Sequence, residues 1–352
     1  MRPIQNLKSK IQNRPIRLAL VGLGGHGRTI QRAAAGAEAV QVVAVCDPVA
    51  SERRAAAERF GCDEAASFEA LLTRDDLDAV ALVTPNHLHR AQAEAAFAAG
   101  LDVFVEKPLA NTVADGRAMA EAAQAAGRIL MVGHNMRFGR ATRRAQRAIA
   151  EGRLGEVVSF DMHFSADSTR QLAPGAWRLH PARCPLLPVM QLGIHAIDLI
   201  HFLIGPVEEV YAAARSVTTP PGVVDSVGAT LRLASGPVGT LVSNYCTPVF
   251  FQYRIAGTEG WIRCTPHQYW LQTASDADGE GEGPVETQDF RAFDLERSVL
   301  MLDAFAASVR QHTPPEIDGW TGLQALAVVE ALRRSSVNGG PERVPSFRKN
   351  RL

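Results

Sequence analysis

The run RLALVGLGGHGRTIQRAAAG, Arg17 to Gly36, decides the reading of the fold. An apolar stretch ends in Gly22-x-Gly24-x-x-Gly27, and a segment of helical character follows. In a strand–turn–helix setting each glycine has a physical reason. The first permits a tight turn, the second lets backbone amides approach a pyrophosphate, and the third lets helix and strand pack closely. The helix N-terminus attracts the phosphate charge, and Gly25 and His26 sit inside the same turn. The next apolar run, VQVVAVCD, ends at Asp47, about twenty residues past the glycine turn, where a carboxylate can bind ribose hydroxyls. Asp47 would accept hydrogen bonds from both adenosine ribose hydroxyls and repel a 2′-phosphate, which predicts NAD rather than NADP. The plain alternative is a glycine turn followed by a surface aspartate.

Outward from this unit the pattern repeats. AVALVTP reads as a strand, HRAQAEAAFAAG as a helix ending at Gly100, and LDVFVE as a strand. TVADGRAMAEAAQAAG reads as a helix capped by Thr112 and ended by Gly127, and RILMVGH as a further strand. Continuous apolar runs alternating with helices predict a doubly wound parallel sheet covered on both faces. Near residue 155 the texture changes. EVVSFDMHFS alternates apolar and polar positions, as half-exposed antiparallel strands do, and VEEVYAAARSV, SVGATLRLA, PVGTLVSNY and FQYRIAGTEGWIRCT continue the pattern around one helix, VMQLGIHAIDLIHFLIG. SDADGEGEGPVETQD, residues 275–289, reads as a solvated acidic loop, and LERSVLMLDAFAASVRQ and GLQALAVVEALRRSS as closing helices. The expected organisation is an extension over 1–15, a dinucleotide-binding Rossmann domain over 16–139 and a second α/β domain over 140–352.

Composition narrows the function. A chain of 352 residues points to about two domains. Lys plus Arg and Asp plus Glu are both 37, so nothing suggests the basic face of a nucleic-acid binder. The five cysteines are scattered and never spaced CxxC, which argues against a disulfide framework or structural zinc and fits a reduced cytoplasm. No stretch reaches the ~18 apolar residues of a membrane helix, and the N-terminus lacks a signal-peptide pattern.

Three further motifs carry polar residues. In VTPNHLH, Asn86 is a candidate helix cap and His89 falls on the first helical turn; loops at strand C-termini line the ligand crevice of a doubly wound sheet. Glu106-Lys107-Pro108 follows the next strand, on the same rim. Pro108 keeps Lys107 out of helical geometry. A partly desolvated lysine beside an oxidised nicotinamide is expected to have a lowered pKa and to exchange a proton with a substrate oxygen. Read in isolation, the pair is two surface charges at a strand end. In MQLGIHAID, Gln191, His195 and Asp198 stand at i, i+4 and i+7 on one helix face. His195 is either functional or a core histidine bonded to Asp198. No metal-ligand pattern accompanies it.

VGLGGHG, VAVCD, VTPNHLHRAQAEAAFAAGLDVFVEKPLA, AAGRILMVGHNMRF, GRLGEVVSF, MQLGIHAIDLIHFLIG and GLQALAVVEALRRS together resemble the glucose–fructose oxidoreductase, inositol dehydrogenase and rhizopine-catabolism (Gfo/Idh/MocA) family. The resemblance implies NAD-dependent oxidation of a secondary alcohol of a sugar, cyclitol or sugar derivative, or reduction of the matching ketone. It implies an open, mostly antiparallel sheet used for contacts in a homodimer or homotetramer. By position, Lys107 and His195 match the catalytic lysine and histidine, and Glu106 lies near the nicotinamide ribose. Thr84, Asn86 and His89 border the cofactor, and Trp177 and Arg178 belong to a loop reaching its nicotinamide end. Asn135, Arg137 and Gln191 join Lys107 and His195 around the substrate, and 176–187 form a substrate-shaping loop. Gln191 departs from relatives that resemble inositol dehydrogenase, which carry aspartate there; glutamine can hydrogen-bond a hydroxyl but takes no proton. Relatives also include NAD-dependent glycoside hydrolases and non-enzymatic dinucleotide sensors, which remain the alternatives.

Overall fold

The computed structural model describes residues 14–274, 285–290 and 295–347. The expected N-terminal extension, apart from Arg14 and Pro15, and most of the acidic loop lie outside the described residues. The chain forms two compact units. The first holds a six-stranded sheet of β1 (Ile16–Val21), β2 (Val40–Cys46), β3 (Asp63–Ala65), β4 (Ala79–Leu82), β5 (Asp102–Val105) and β6 (Leu130–Val132). Their order is β3-β2-β1-β4-β5-β6 and every pairing is parallel, the Rossmann arrangement. Helices α1 (Gly27–Gly36), α2 (Ala50–Phe60), α3 (Phe68–Leu72), α4 (His89–Ala98) and α5 (Val113–Ala125) connect the strands. β1, β4, β5 and β6 are almost entirely buried, which is why they read as unbroken apolar runs.

The change of texture in the sequence predicts a second domain over 140–352. The compact units divide otherwise, because residues 298–323 return to the first. They carry most of α8 (Glu296–Gln311) and the start of α9 (Gly319–Asn338). Phe305 meets Phe104 of β5 edge to face, with centroids 5.8 Å apart. Gly319 and Gly322 permit the approach to β6, since a Cβ at either would stand 2.7 Å from Leu130 or Val132.

The second unit is built on a nine-stranded sheet of β7 (Val157–Asp167), β8 (Val207–Arg215), β9 (Ser226–Leu233), β10 (Val238–Asn244), β11 (Cys246–Gly257), β12 (Gly260–Cys264), β13 (Gln268–Thr273), β14 (Glu286–Asp289) and β15 (Glu342–Arg343). The order is β14-β13-β12-β11-β7-β10-β9-β8-β15, antiparallel except where β7 and β10 run parallel. The period-2 alternation is realised in register from β8 across to β12. Val210, Leu231, Gly239, Phe160, Ile255, Ile262 and Leu271 are register partners and all are buried. The neighbouring row of Tyr211, Thr230, Thr240, Asp161, Arg254 and Arg263 is exposed. Residues 286–289, expected in the acidic loop, instead pair with β13 as an edge strand. α6 (Arg140–Ala150) and α7 (Ile194–Leu203) complete the described helices of this unit. Among the described residues no helix is long and apolar enough to cross a membrane.

Candidate active site

In the first unit, strand register assembles the site. Cys46, Val21, Leu82, Val105 and Val132 are partners across β2, β1, β4, β5 and β6. The residues that follow them, Asp47, Gly22, Val83, Glu106 and Gly133, therefore leave the sheet side by side at its carboxyl edge. Gly22 has φ +88°, and a Cβ there would stand 2.6 Å from the Val83 carbonyl oxygen. A Cβ on Gly27 would overlap the Gly22 carbonyl, whereas Gly24 and Gly25 face open space. Among the described residues the N–H groups of Gly24, Gly25 and His26 donate to no protein acceptor. Three spare amides at the start of α1 are the donor set a pyrophosphate needs, so the turn fits a dinucleotide.

Asp47 closes this turn. Its Oδ2 accepts from Leu23 N at 2.8 Å and its Oδ1 from Val49 N at 2.8 Å. A carboxylate has about four acceptor positions, so two remain for ribose hydroxyls. Glu106 is 5% exposed; its Oε1 lies 3.3 Å from His26 Nε2, and its Oε2 accepts from Lys107 N at 3.2 Å. Burial alone would raise the Glu106 pKa, but His26 and Lys107 outweigh it and hold the carboxyl below its usual value. The Lys107–Pro108 peptide is cis.

Gly133 was not singled out from sequence, and it proves to be the wall of this carboxylate. A Cβ at 133 would stand 2.9 Å from the Glu106 carboxyl carbon. Overpacking of this kind costs about 1–3 kcal/mol. Gly133→Ala is therefore expected to displace Glu106 and to weaken dinucleotide affinity as well as stability, read by a fluorescence titration beside a urea melt. Wild-type values in both would show that Glu106 has room to spare.

His89 and Asn86 are placed differently from expectation. His89 is buried, with Nδ1 3.0 Å from Pro108 O and Nε2 2.9 Å from Thr84 O. Its ring sits between the loop after β4 and the loop after β5, and as a neutral imidazole it donates one hydrogen bond, to one of these two carbonyls. Burial holds its pKa below the usual value. Asn86 opens a 3₁₀ turn, Asn86–Leu88, and α4 begins after it with no side-chain cap. Thr84 donates through Oγ1 to Gln92 Oε1 at 2.6 Å.

In the second unit the helix bearing His195 starts as a π turn, Val189–Gly193, before becoming α7. The spacing from Gln191 to His195 is therefore not a plain α-helical i, i+4. Gly193 lets this turn approach β10, because a Cβ would stand 3.2 Å from Ser243, whose hydroxyl donates to Pro188 O at 3.0 Å. Beside His195 lies a residue the sequence reading passed over, His134, which is 0% exposed. The two rings meet edge to face at 5.9 Å, and Phe164 stands 5.9 Å from His195.

Arg137 does not have its guanidinium free for a pocket. Its Nε and Nη2 donate to the two oxygens of Asp198 at 2.7 and 2.6 Å, and it lies over the Phe202 ring. Asp198 thus pairs with Arg137, which answers the alternative of a His195–Asp198 bond differently. Asn135 is buried in the 3₁₀ turn Asn135–Phe138. Gln191, 7% exposed, accepts through Oε1 from Arg178 Nε at 3.1 Å and donates through Nε2 to Cys184 Sγ at 3.5 Å. Arg178 also stacks on Trp177, 4.5 Å from the ring centroid. No cluster of three or more metal-ligating side chains occurs among the described residues.

Comparison with known proteins agrees with both halves. Residues 16–134 match the oxidoreductase family with an NAD-binding Rossmann fold, and residues 142–263 match the GFO/IDH/MocA C-terminal domain. The chain belongs to the Gfo/Idh/MocA oxidoreductase family. It is 29% identical to D-apiose dehydrogenase of Paraburkholderia graminis over 338 residues, 91% of this chain and 88% of that protein. It is also 29% identical to D-xylose 1-dehydrogenase (NADP(+)) 2 of Haloferax volcanii over 331 residues, 91% of this chain and 97% of that one. The fold matches levoglucosan dehydrogenase, solved in complex with NADH and levoglucosan, with a TM-score of 0.88 at 23% identity, covering 95% of this chain and all of that one. This family member is accordingly an oxidoreductase with an NAD(P)-binding Rossmann unit.

Proposed function

We propose that the chain is an NAD-dependent dehydrogenase, or ketone reductase in the reverse direction, acting on a secondary alcohol of a sugar, cyclitol or sugar derivative. The observation that carries this is the row at the carboxyl edge of the parallel sheet, where the Asp47-clamped glycine turn stands beside Glu106 and Lys107. A bound nicotinamide supplies the hydride acceptor. Lys107 and His195 are assigned the hydroxyl proton, one transferring it and the other polarising the oxygen. Glu106 and the tie made by His89 fix the backbone on either side of Lys107. Gln191, already bonded to Arg178, does not favour inositol over other polyols. A homodimer or homotetramer is the proposed assembly, supported by exposed Val158, Tyr211, Val238 and Phe250 on the second sheet.

The test is a screen of sugars, cyclitols and their keto forms for NAD(H) turnover. Net NADH from a compound of this set, neutral or acidic, is the expected result and separates this function from redox-neutral glycoside cleavage. If NADP supports faster turnover than NAD, the Asp47 assignment is wrong. Asp47→Asn replaces one acceptor oxygen with an amide facing a backbone N–H, and leaving such a group unpaired costs about 1–3 kcal/mol. NAD affinity in that variant is expected to fall by about tenfold or more, read by titrating NADH fluorescence.

A further inference from the structure

We infer that the substrate carries a carboxylate, a uronic or aldonic acid and not a neutral sugar, and that Arg178 receives it. This rests on the dehydrogenase reading above and adds the substrate class. Arg178 is half-buried, and its guanidinium meets only neutral groups: the Gln191 amide oxygen at Nε and the face of Trp177. Among the described residues it pairs with no carboxylate, in contrast to Arg137, whose fork is filled by Asp198.

The geometry around that charge is built. Gln191 is 7% exposed and is held from its other end by Cys184, so its oxygen is a fixed point. Bonding through Nε orients the guanidinium plane, and stacking on Trp177 covers one face. The Nη1 and Nη2 end, the part of the fork that matches a carboxylate, forms no bond to the protein among the described residues. Tyr245 belongs to the same surroundings, since Arg178 acts on its hydroxyl electrostatically. A carboxylate at position 191 would neutralise the arginine, whereas the glutamine positions it and leaves its charge intact. Gln191 also lies one turn ahead of His195, on the helix that carries the proposed proton-handling group. A single guanidinium with no second cation bonded beside it suits the one charge of a carboxylate better than a phosphate dianion.

The experiment uses the full chain with NAD and matched pairs: D-glucuronate against D-glucose, D-galacturonate against D-galactose, D-gluconate against D-sorbitol, with glucose 6-phosphate as a further arm. Calorimetric binding of the same compounds to the NADH-loaded protein is measured alongside. A charge-assisted hydrogen bond corresponds to about tenfold or more in affinity. At least one acid should exceed its neutral partner by that factor in kcat/KM or in binding. Arg178→Met should erase the preference, and Arg178→Lys, which keeps a positive charge, should retain part of it. Equal treatment of each pair, preference for the phosphate, no binding of any acid, or an Arg178→Met defect confined to KM for NAD would each overturn the inference. Lys107→Ala run in parallel separates the two claims. If it abolishes turnover of neutral sugars that the wild type does not discriminate from acids, only the substrate class fails; if turnover survives it, the proton-transfer assignment fails.

Discussion

Lys107→Ala is expected to lower turnover by about 10²- to 10⁴-fold, the usual contribution of a positioned proton-transfer group, while NAD affinity stays within about threefold of wild type. The separation follows from how the residue is held. The contact that ties position 107 to Glu106 is made by its backbone N–H, which alanine retains. The glycine turn and the Asp47 clamp are made by other residues, so the dinucleotide cradle loses nothing directly. What alanine removes is the ammonium, and with it the Coulombic support that helps hold Glu106 ionised. Lys107→Arg keeps a positive charge but gives a group that does not deprotonate in this range. It should preserve NAD affinity and remain nearly as slow as alanine. Steady-state rates against equilibrium titration of NADH read both quantities, and an arginine variant with wild-type turnover would mean that charge alone suffices at this position.

The parts legible in sequence were those that local chemistry dictates. Gly22 and Gly27 were readable because only glycine survives the close approach of Val83 O and of the Gly22 carbonyl. Asp47 was readable because its position is fixed by the length of the βαβ unit, although its grip on Leu23 N and Val49 N was not. The antiparallel sheet showed through its alternation, row by row. What stayed hidden depends on partners distant in the chain. Arg137 and Asp198 are 61 positions apart, and nothing in HNMRF says that its arginine is spent on a carboxylate. His89 finds the carbonyl of Pro108, 19 positions on, a contact that no local spacing announces. The π turn at Val189–Gly193 hides for another reason: periodicity alone does not distinguish it from the first turn of α7. The return of residues 298–323 to the first unit depends on Gly319 and Gly322 meeting β6, small residues that carry no apolar signal.

Breaking the Arg137–Asp198 pair is expected to be the costliest single change to stability. Both partners are buried, at 5% and 1% exposure, and removing one leaves the other's charge stranded, at about 3–5 kcal/mol. Asp198→Ala and Arg137→Ala should each show a loss of that order in urea unfolding. The double variant Arg137→Met/Asp198→Leu, which replaces the pair by apolar groups of similar bulk, should recover most of it. A double variant no better than the singles would assign the cost to packing and not to stranded charge. The same cluster sets an acid limit. Burial pushes the Asp198 carboxyl up, yet His134, Arg137 and His201 around it more than compensate and hold its pKa below the usual 3.8. Its stabilisation is therefore complete above the unfolded value and is lost as pH falls through the depressed folded one. His201 acts at higher pH: burial is the largest cause that brings it from 6.5 to about 4, so the unfolded chain takes up that proton first as pH drops through this window. The urea midpoint should thus decline from about pH 6.5 downward. His201→Gln should flatten the limb between 6.5 and about 4, and Asp198→Asn only the limb below it. A midpoint independent of pH from 7 to 4 would mean that His201 is not held neutral by its burial.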